Sequence, residues 1–133
     1  MSRSGYVDDH DNNWDLIRWR GAVKSAIRGK RGQAFLREML AALDALPKPE
    51  LVAGDLERDG EVCALGAVGK ARGMDMSEID PEDRDTVAAE FGIPHTLACE
   101  IMYENDECGR DGKWSRYERM RKWVIRNLKS PIK

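Results

Sequence analysis

Apolar residues return every three or four positions over much of the chain, the period of a helix with one buried face. Leu16, Trp19, Val23 and Ile27 form the first such stripe, with Asn13 before it as a capping residue, so a helix is predicted from about Trp14 to Arg28. Gly29-Lys-Arg-Gly32 breaks the pattern. Phe35, Leu36, Met39, Leu40, Leu43 and Leu46 then define a second helix, about Gln33 to Leu46, which Pro47 and Pro49 close.

After the prolines the period shortens. Leu51-Val-Ala-Gly-Asp-Leu-Glu57 and Glu61-Val-Cys-Ala64 flank Arg58-Asp59-Gly60, and Asp-Gly between short β-compatible runs predicts a hairpin. Such a ribbon needs helices to cover it, because two strands alone are barely stable. A short helix over about Leu65 to Ala71 stops at Gly73. Asp80-Pro-Glu-Asp83 predicts another start, with Asp80 as cap, Pro81 in the first turn and acids near the positive end. That helix runs to about Glu90 and breaks at Gly92; Pro94 opens the next, to about Glu104. Beyond Gly109 and Gly112, a final amphipathic helix spans about Lys113 to Leu128. The expected fold is therefore α+β and mostly α: about five to six helices around one small two-stranded β-hairpin, with a helix-turn-helix-like pair. Residues 1–12 are expected to form a flexible tail and residues 13–133 a single domain, a size that suffices for a real core.

Composition narrows the class. Apolar residues make up 41% of the chain and charged residues 35%, with no apolar run near the roughly 18 residues of a membrane span. The first residues, Met-Ser-Arg-Ser-Gly-Tyr, lack the apolar core of a signal peptide, so the cytoplasm is the expected compartment. Cys63, Cys99 and Cys108 are too few and too widely spaced for a disulfide framework or a paired zinc site, and are expected as buried free thiols. Asp8-Asp-His-Asp11 has metal-ligand residue types, but neighbours in sequence cannot converge on one ion without folded support. No metal and no cofactor are expected.

Charge is distributed unevenly although the net charge is only −2. Residues 18–37 hold seven cations and no acid, residues 44–107 hold 17 acids against five cations, and residues 108–133 hold nine cations and two acids. Asymmetry of this kind steers partners. It also allows basic ends to pack against an acidic middle.

Three stretches carry candidate chemistry. Cys63 stands just before a helix, where the dipole lowers a thiol pKa, and His95 and Asn105 lie downstream, so a Cys–His–Asn set centred on Cys63 is formally available. Val62 and Ala64 instead suit a strand in a dry core. Gly66-Ala-Val-Gly-Lys70 lacks the spacing and the hydroxyl of a phosphate loop, so its glycines are expected to admit another backbone closely. Residues 86–101, with Ala88 four positions before Gly92, look like a helix-turn-helix; the acids Glu82, Asp83, Asp85, Glu90, Glu100 and Glu104 around it oppose DNA. On the last helix, Tyr117, Met120, Val124 and Leu128 share one face, while Arg116, Arg119, Lys122, Arg126 and Lys129 form a cationic face with Trp123 near its edge. Tryptophan beside arginine is the composition of a binding surface; the alternative is a core tryptophan with solvated cations.

Trp14-Asp-Leu-Ile-Arg-Trp-Arg-Gly-Ala-Val, Gly29-Lys-Arg-Gly-Gln-Ala-Phe-Leu-Arg-Glu, Val62-Cys-Ala-Leu-Gly-Ala-Val-Gly and Glu100-Ile-Met-Tyr-Glu-Asn-Asp-Glu together resemble a group of small uncharacterised proteins of tailed phages and prophages. A wider set of phage proteins is similar only in a Cys-x-x-Gly followed later by Asn-Asp, matched here by Cys63, Gly66, Asn105 and Asp106. The resemblance brings no catalytic residue. It implies a phage accessory protein made inside a bacterium, of a kind that binds host components, defence systems included. The same four residues also suit a structural junction, in which polar side chains at a helix end satisfy exposed backbone groups.

The leading expectation is a non-enzymatic phage accessory protein that binds a host macromolecule in the bacterial cytoplasm. Its expected partner is a host protein or protein complex, with nucleic acid as the other class and no membrane. Two alternatives stand beside it: a DNA-binding regulator using the helix pair within 82–104, and a cysteine-dependent enzyme using Cys63, His95 and Asn105.

Overall fold

A computed structural model describes residues 13–106 and 112–129. The apolar stripes become helices α1 (Asn13–Arg28) and α2 (Lys30–Asp44), followed by strands β1 (Glu57–Arg58) and β2 (Glu61–Val62). Helices α3 (Ala64–Ala71), α4 (Arg84–Phe91), α5 (His95–Asp106) and α6 (Lys113–Asn127) complete the order. Among the described residues this makes six helices and one antiparallel two-stranded sheet, a mostly-α α+β fold.

Helices α2 and α5 are the two around which the rest pack: α1, α3 and α6 each touch both, and α4 lies against α5. The stripes predicted to face inward do so. Leu36, Met39 and Leu43 of α2 meet Val68 of α3, Leu97 and Ile101 of α5, and Met120 and Val124 of α6 in one core that runs from Val23 to Val124. Arg72, just past α3, ties three elements together. Its guanidinium grips Glu38 with two bonds of 2.6 and 2.7 Å, donates to the Phe91 carbonyl at 3.2 Å, and lies over the rings of Phe35 and Phe91. The two rings meet edge to face.

Helix α2, the hairpin and the start of α4 differ from the sequence expectation. Only Gly29 interrupts α1 and α2; the second helix starts at Lys30 rather than Gln33 and ends at Asp44 rather than Leu46. Gly32 lies in the first turn of α2, where any side chain would strike the carbonyls of Ala26 and Ile27, so the corner closes without a loop. The hairpin is shorter than expected, two residues per strand, with Glu57 opposite Val62 and Arg58 opposite Glu61. Asp59 and Gly60 both take positive φ, 54° and 83°, as a tight hairpin turn with a matching twist requires. Helix α4 begins at Arg84 and not after Asp80. Asp80 closes a turn by accepting from the Glu82 amide at 2.9 Å, while Asp83 is the cap, accepting the amide and hydroxyl of Thr86 at 3.2 and 2.8 Å.

No helix among the described residues is long and apolar enough to cross a membrane. The tail expected over residues 1–12 lies outside the described residues.

Candidate functional site

The structure brings Cys63, Gly66, Asn105 and Asp106 to one chain crossing. Cys63 is the N-cap of α3, and its sulfur accepts from the Gly66 amide at 3.3 Å. Asn105, 2% exposed near the end of α5, uses both ends of its amide: Oδ1 accepts from the Ala64 amide at 3.1 Å, and Nδ2 donates to the Val52 carbonyl at 3.0 Å and to Asp106 Oδ1 at 2.7 Å. Asp106 Oδ1 in turn accepts from the Gly54 amide at 3.2 Å. Gly66 faces the Leu56 carbonyl so closely that a methyl group would collide with it. The cavity left beside Cys63, Asn105 and Asp106 is about 10 Å³, room for one water at most.

This geometry decides the chemistry of Cys63. The helix dipole favours a thiolate, but burial dominates and pushes the thiol up to about 12, with the nearby Asp106 carboxylate acting in the same direction. The thiol is neutral at physiological pH and shut off from solvent. His95 does not join it. His95 opens α5 and Asn105 lies ten residues further along, about 15 Å at the rise of an α-helix. Of the three residues considered as a catalytic set, Cys63 and Asn105 thus share a crossing and His95 stands at the other end of the helix.

His95 has other partners, which the sequence reading did not find. Its Nδ1 lies 2.9 Å from Asp85 Oδ1 and its Nε2 lies 3.4 Å from the Cys99 sulfur, with Trp19 edge-on to the ring. The spacing of four between His95 and Cys99 was the available signal, since such residues share a helix face. Cys99 is only 1% exposed, and burial pushes its thiol up to about 11. Thiol, imidazole and carboxylate are in line, but the sulfur at the inner end is neutral and covered.

The α4–α5 pair has the turn of a helix-turn-helix. Gly92 ends α4 in the left-handed conformation, φ 71°, and the Ile93 amide returns to the Ala88 carbonyl at 3.0 Å. The second helix, however, offers little exposed surface to a DNA groove. Leu97, Ala98, Cys99, Glu100, Ile101, Met102 and Asn105 are all buried, Thr96, Tyr103, Glu104 and Asp106 are partly buried, and His95 is the one exposed residue of α5.

On α6 the expected cationic face divides in two. Trp123, 4% exposed, packs in the core and is not at the edge of the surface, which corrects the expectation for it. Arg116 donates to the carbonyls of Asn105 and Leu51 at 3.0 and 3.1 Å, and Arg119 donates to that of Glu104. Both complete the end of α5, where carbonyls have no partner within the helix. Lys122, Arg126 and Lys129 are exposed. Among the described side chains the exposed tryptophan is Trp114, at 58%, a residue missed in the sequence. At about 100° per residue it shares a direction with Glu118, Lys122 and Ile125, opposite the Met120–Val124 core stripe, and that signal was legible. Trp114, Ser115, Glu118, Arg119, Lys122 and Arg126 line a shallow open groove of about 380 Å³.

Gln33 was also missed. Its amide is 4% exposed and binds three backbone groups: Nε2 donates to the carbonyls of Ile27 at 2.8 Å and Asn127 at 3.0 Å, and Oε1 accepts from the Lys129 amide at 2.8 Å. The end of α1, the start of α2 and the end of α6 therefore meet at one point. Among the described residues no group of His, Cys, Asp or Glu is placed to hold a metal; Asp8, Asp9, His10, Asp11 and Cys108 lie outside them. No protein-family model, curated protein or solved structure matches the chain.

Proposed function

We propose that the protein acts by binding, as a phage accessory protein that modulates a host protein, and that the outward face of α6 makes the contact. The observation that carries this is Trp114: a large aromatic ring 58% exposed, beside a groove that Lys122 and Arg126 also line. Exposed tryptophan flanked by cations is the composition of an interface hot spot. Ile125, 45% exposed, extends the apolar part of the same face. The matching partner presents an acidic rim around an apolar pocket. The sealed state of Cys63 and its distance from His95 support binding over cysteine chemistry. The phage context comes from the resemblance of the sequence blocks alone.

The test is capture from a bacterial host lysate treated with nuclease, comparing the native protein with Trp114→Ala and Lys122→Glu. A specific host protein retained by the native chain and lost from both variants is the expected result. Equal capture by all three proteins would sink the α6 face. Arg116, Arg119 and Trp123 are left intact, because their bonds and packing hold α5 and α6 in place.

A further inference from the structure

The Gln33 junction has a consequence for charge. It brings the two most basic segments of the chain, separated by almost the whole sequence, to the same end of the molecule. Arg28 directly follows Ile27, whose carbonyl Gln33 holds, and Lys30 and Arg31 open the helix that carries Gln33. Arg126 and Lys129 flank Asn127 on the other side of the same amide. Lys24 and Arg20 continue the patch along α1 at spacings of four. All of these side chains are in exposed residues. Arg31 also donates to the Gly92 carbonyl at 2.7 Å, which pins it beside the end of α4.

We infer that this end of the molecule is a docking surface for the phosphate backbone of nucleic acid, read without base specificity. Four observations converge on it. Residues 16–37 contain no acid, and the next two acids along the chain, Glu38 and Asp44, are already engaged by Arg72 and Arg121 at 2.6 and 2.7 Å. Like charges are crowded in the patch. Arg20, Lys24 and Arg28 are like charges one turn apart, and Lys30 and Arg31 sit at the positive end of α2, which has no side-chain cap and no acid in its first turn. An anion at this end relieves both.

Apolar anchors are few there. The large exposed apolar residues among those described are Ile17, Trp114 and Ile125; Ile17 shares the α1 face of Arg20, Lys24 and Arg28 but stands at the far edge of the patch, 11 residues or about 16 Å from Arg28, and Ile125 points about 100° away from Arg126, toward the Trp114 side. A surface of cations and helix-end amides with one aliphatic side chain at its edge suits phosphates better than a protein partner. Finally, of the acids on α4 and its approach, Asp80, Glu82, Asp83 and Asp85 lie at the end away from Gly92 and Arg31, and Glu90 alone lies near that end. A polyanion is thus drawn to one end and repelled from another, which fixes its position without base contacts.

The surface meets the Trp114 face at Arg126, but Trp114 and Lys122 belong to one and Arg20, Lys24, Arg28 and Lys129 to the other, so either can fail without the other. The test is fluorescence anisotropy of the purified protein with a labelled duplex of about 20 base pairs over a series of salt concentrations, with unlabelled poly-glutamate as competitor. Expected is binding at low salt whose affinity falls steeply as salt rises, by about 0.9 in log–log slope per phosphate contacted. The triple variant Lys24→Gln, Arg28→Gln, Lys129→Gln should bind at least about tenfold more weakly with a slope shallower by about 2 to 3. Trp114→Ala should bind as the native protein does. Circular dichroism confirms that the variant is folded; if it is not, the three single substitutions are read in its place. Absence of binding at low salt overturns the inference. So does an affinity unchanged by the substitutions, or competition by poly-glutamate equal to that by unlabelled duplex, which would assign the patch to acidic protein.

Discussion

At the corner between α1 and α2, Gly29 is the N-cap of the second helix and Gly32 is its third residue, pressed against the carbonyls of Ala26 and Ile27. At the corner between the hairpin and α3, Cys63 is the N-cap and Gly66 the third residue, pressed against the carbonyl of Leu56. Each corner is then locked by one buried primary amide that binds one partner nearby in sequence and two from distant parts of the chain, Gln33 in the first and Asn105 in the second. Their surroundings differ. Exposed lysines and arginines ring the first, whereas the second is enclosed by core residues and leaves its thiol neutral. Two similar pieces of architecture therefore serve different ends, and burial decides which: the cationic corner is available to a partner and the cysteine corner is not.

The largest effect expected from breaking this comparison is at the glycines. Gly66→Ala places a methyl group against the Leu56 backbone, which cannot swing aside as a side chain would. A loss of about 3 kcal/mol is expected, read as a lower urea midpoint with unchanged slope. Gly32→Ala meets an equivalent obstacle at Ala26, but Gly29, Lys30 and Arg31 beside it are exposed, so the start of α2 can shift toward solvent. Its expected loss is nearer 1 to 2 kcal/mol, after the gain of about 1 kcal/mol from alanine's helix propensity. Equal losses at the two positions would show that burial does not stiffen the second corner.

Next come the amides. Asn105→Ala strands the Ala64 amide and the Val52 carbonyl in the interior, and an unpaired buried group costs about 1–3 kcal/mol. Gln33→Ala frees groups of Ile27, Asn127 and Lys129, two of which are in part-buried contacts that water can reach. About 1 kcal/mol is expected there. The discriminating result lies outside stability: Gln33→Ala should also let the end of α6 part from α1, seen as faster amide exchange at Lys129, while Asn105→Ala leaves that amide unchanged.

How much of these two corners could be read in advance follows from the range of the interactions. The helices were legible because their stripes are local, and Asp59-Gly60 announced the hairpin because only a few residues tolerate positive φ. The crossing of Cys63 and Gly66 with Asn105 and Asp106 was an expectation that rested on a resemblance and not on periodicity or spacing. Gln33 gave no signal at all. Two of its three partners lie 94 and 96 residues away, and a glutamine in a first helical turn is unremarkable in sequence. The same applies to Arg116 and Arg119: on a helical wheel they belong to the cationic face, and only the end of α5 turns them into caps for its carbonyls. Trp114 and Trp123 lie on opposite sides of α6, and periodicity could say that they differ but the core stripe had to say which was buried.

The smallest effect at neutral pH, and the one that bears most directly on Cys63, comes from replacing its sulfur by oxygen. Serine is a favoured N-cap, so Cys63→Ser keeps an acceptor for the Gly66 amide and should change stability at pH 7 by about 1 kcal/mol or less. The two proteins should part at alkaline pH. The thiol is raised from 9.0 to about 12 in the folded chain, so folding holds its proton more tightly than the unfolded chain does. That contribution is fully present below pH 9 and is lost as pH rises from there toward about 12, at up to about 1.4 kcal/mol per unit. Native stability should therefore fall more steeply than that of Cys63→Ser across this window, and Cys63 should resist alkylation at pH 7 until the protein unfolds. Parallel curves, or rapid labelling of Cys63 in the folded protein, would mean that the second corner opens to solvent, and the contrast between a sealed junction and an available one would not hold.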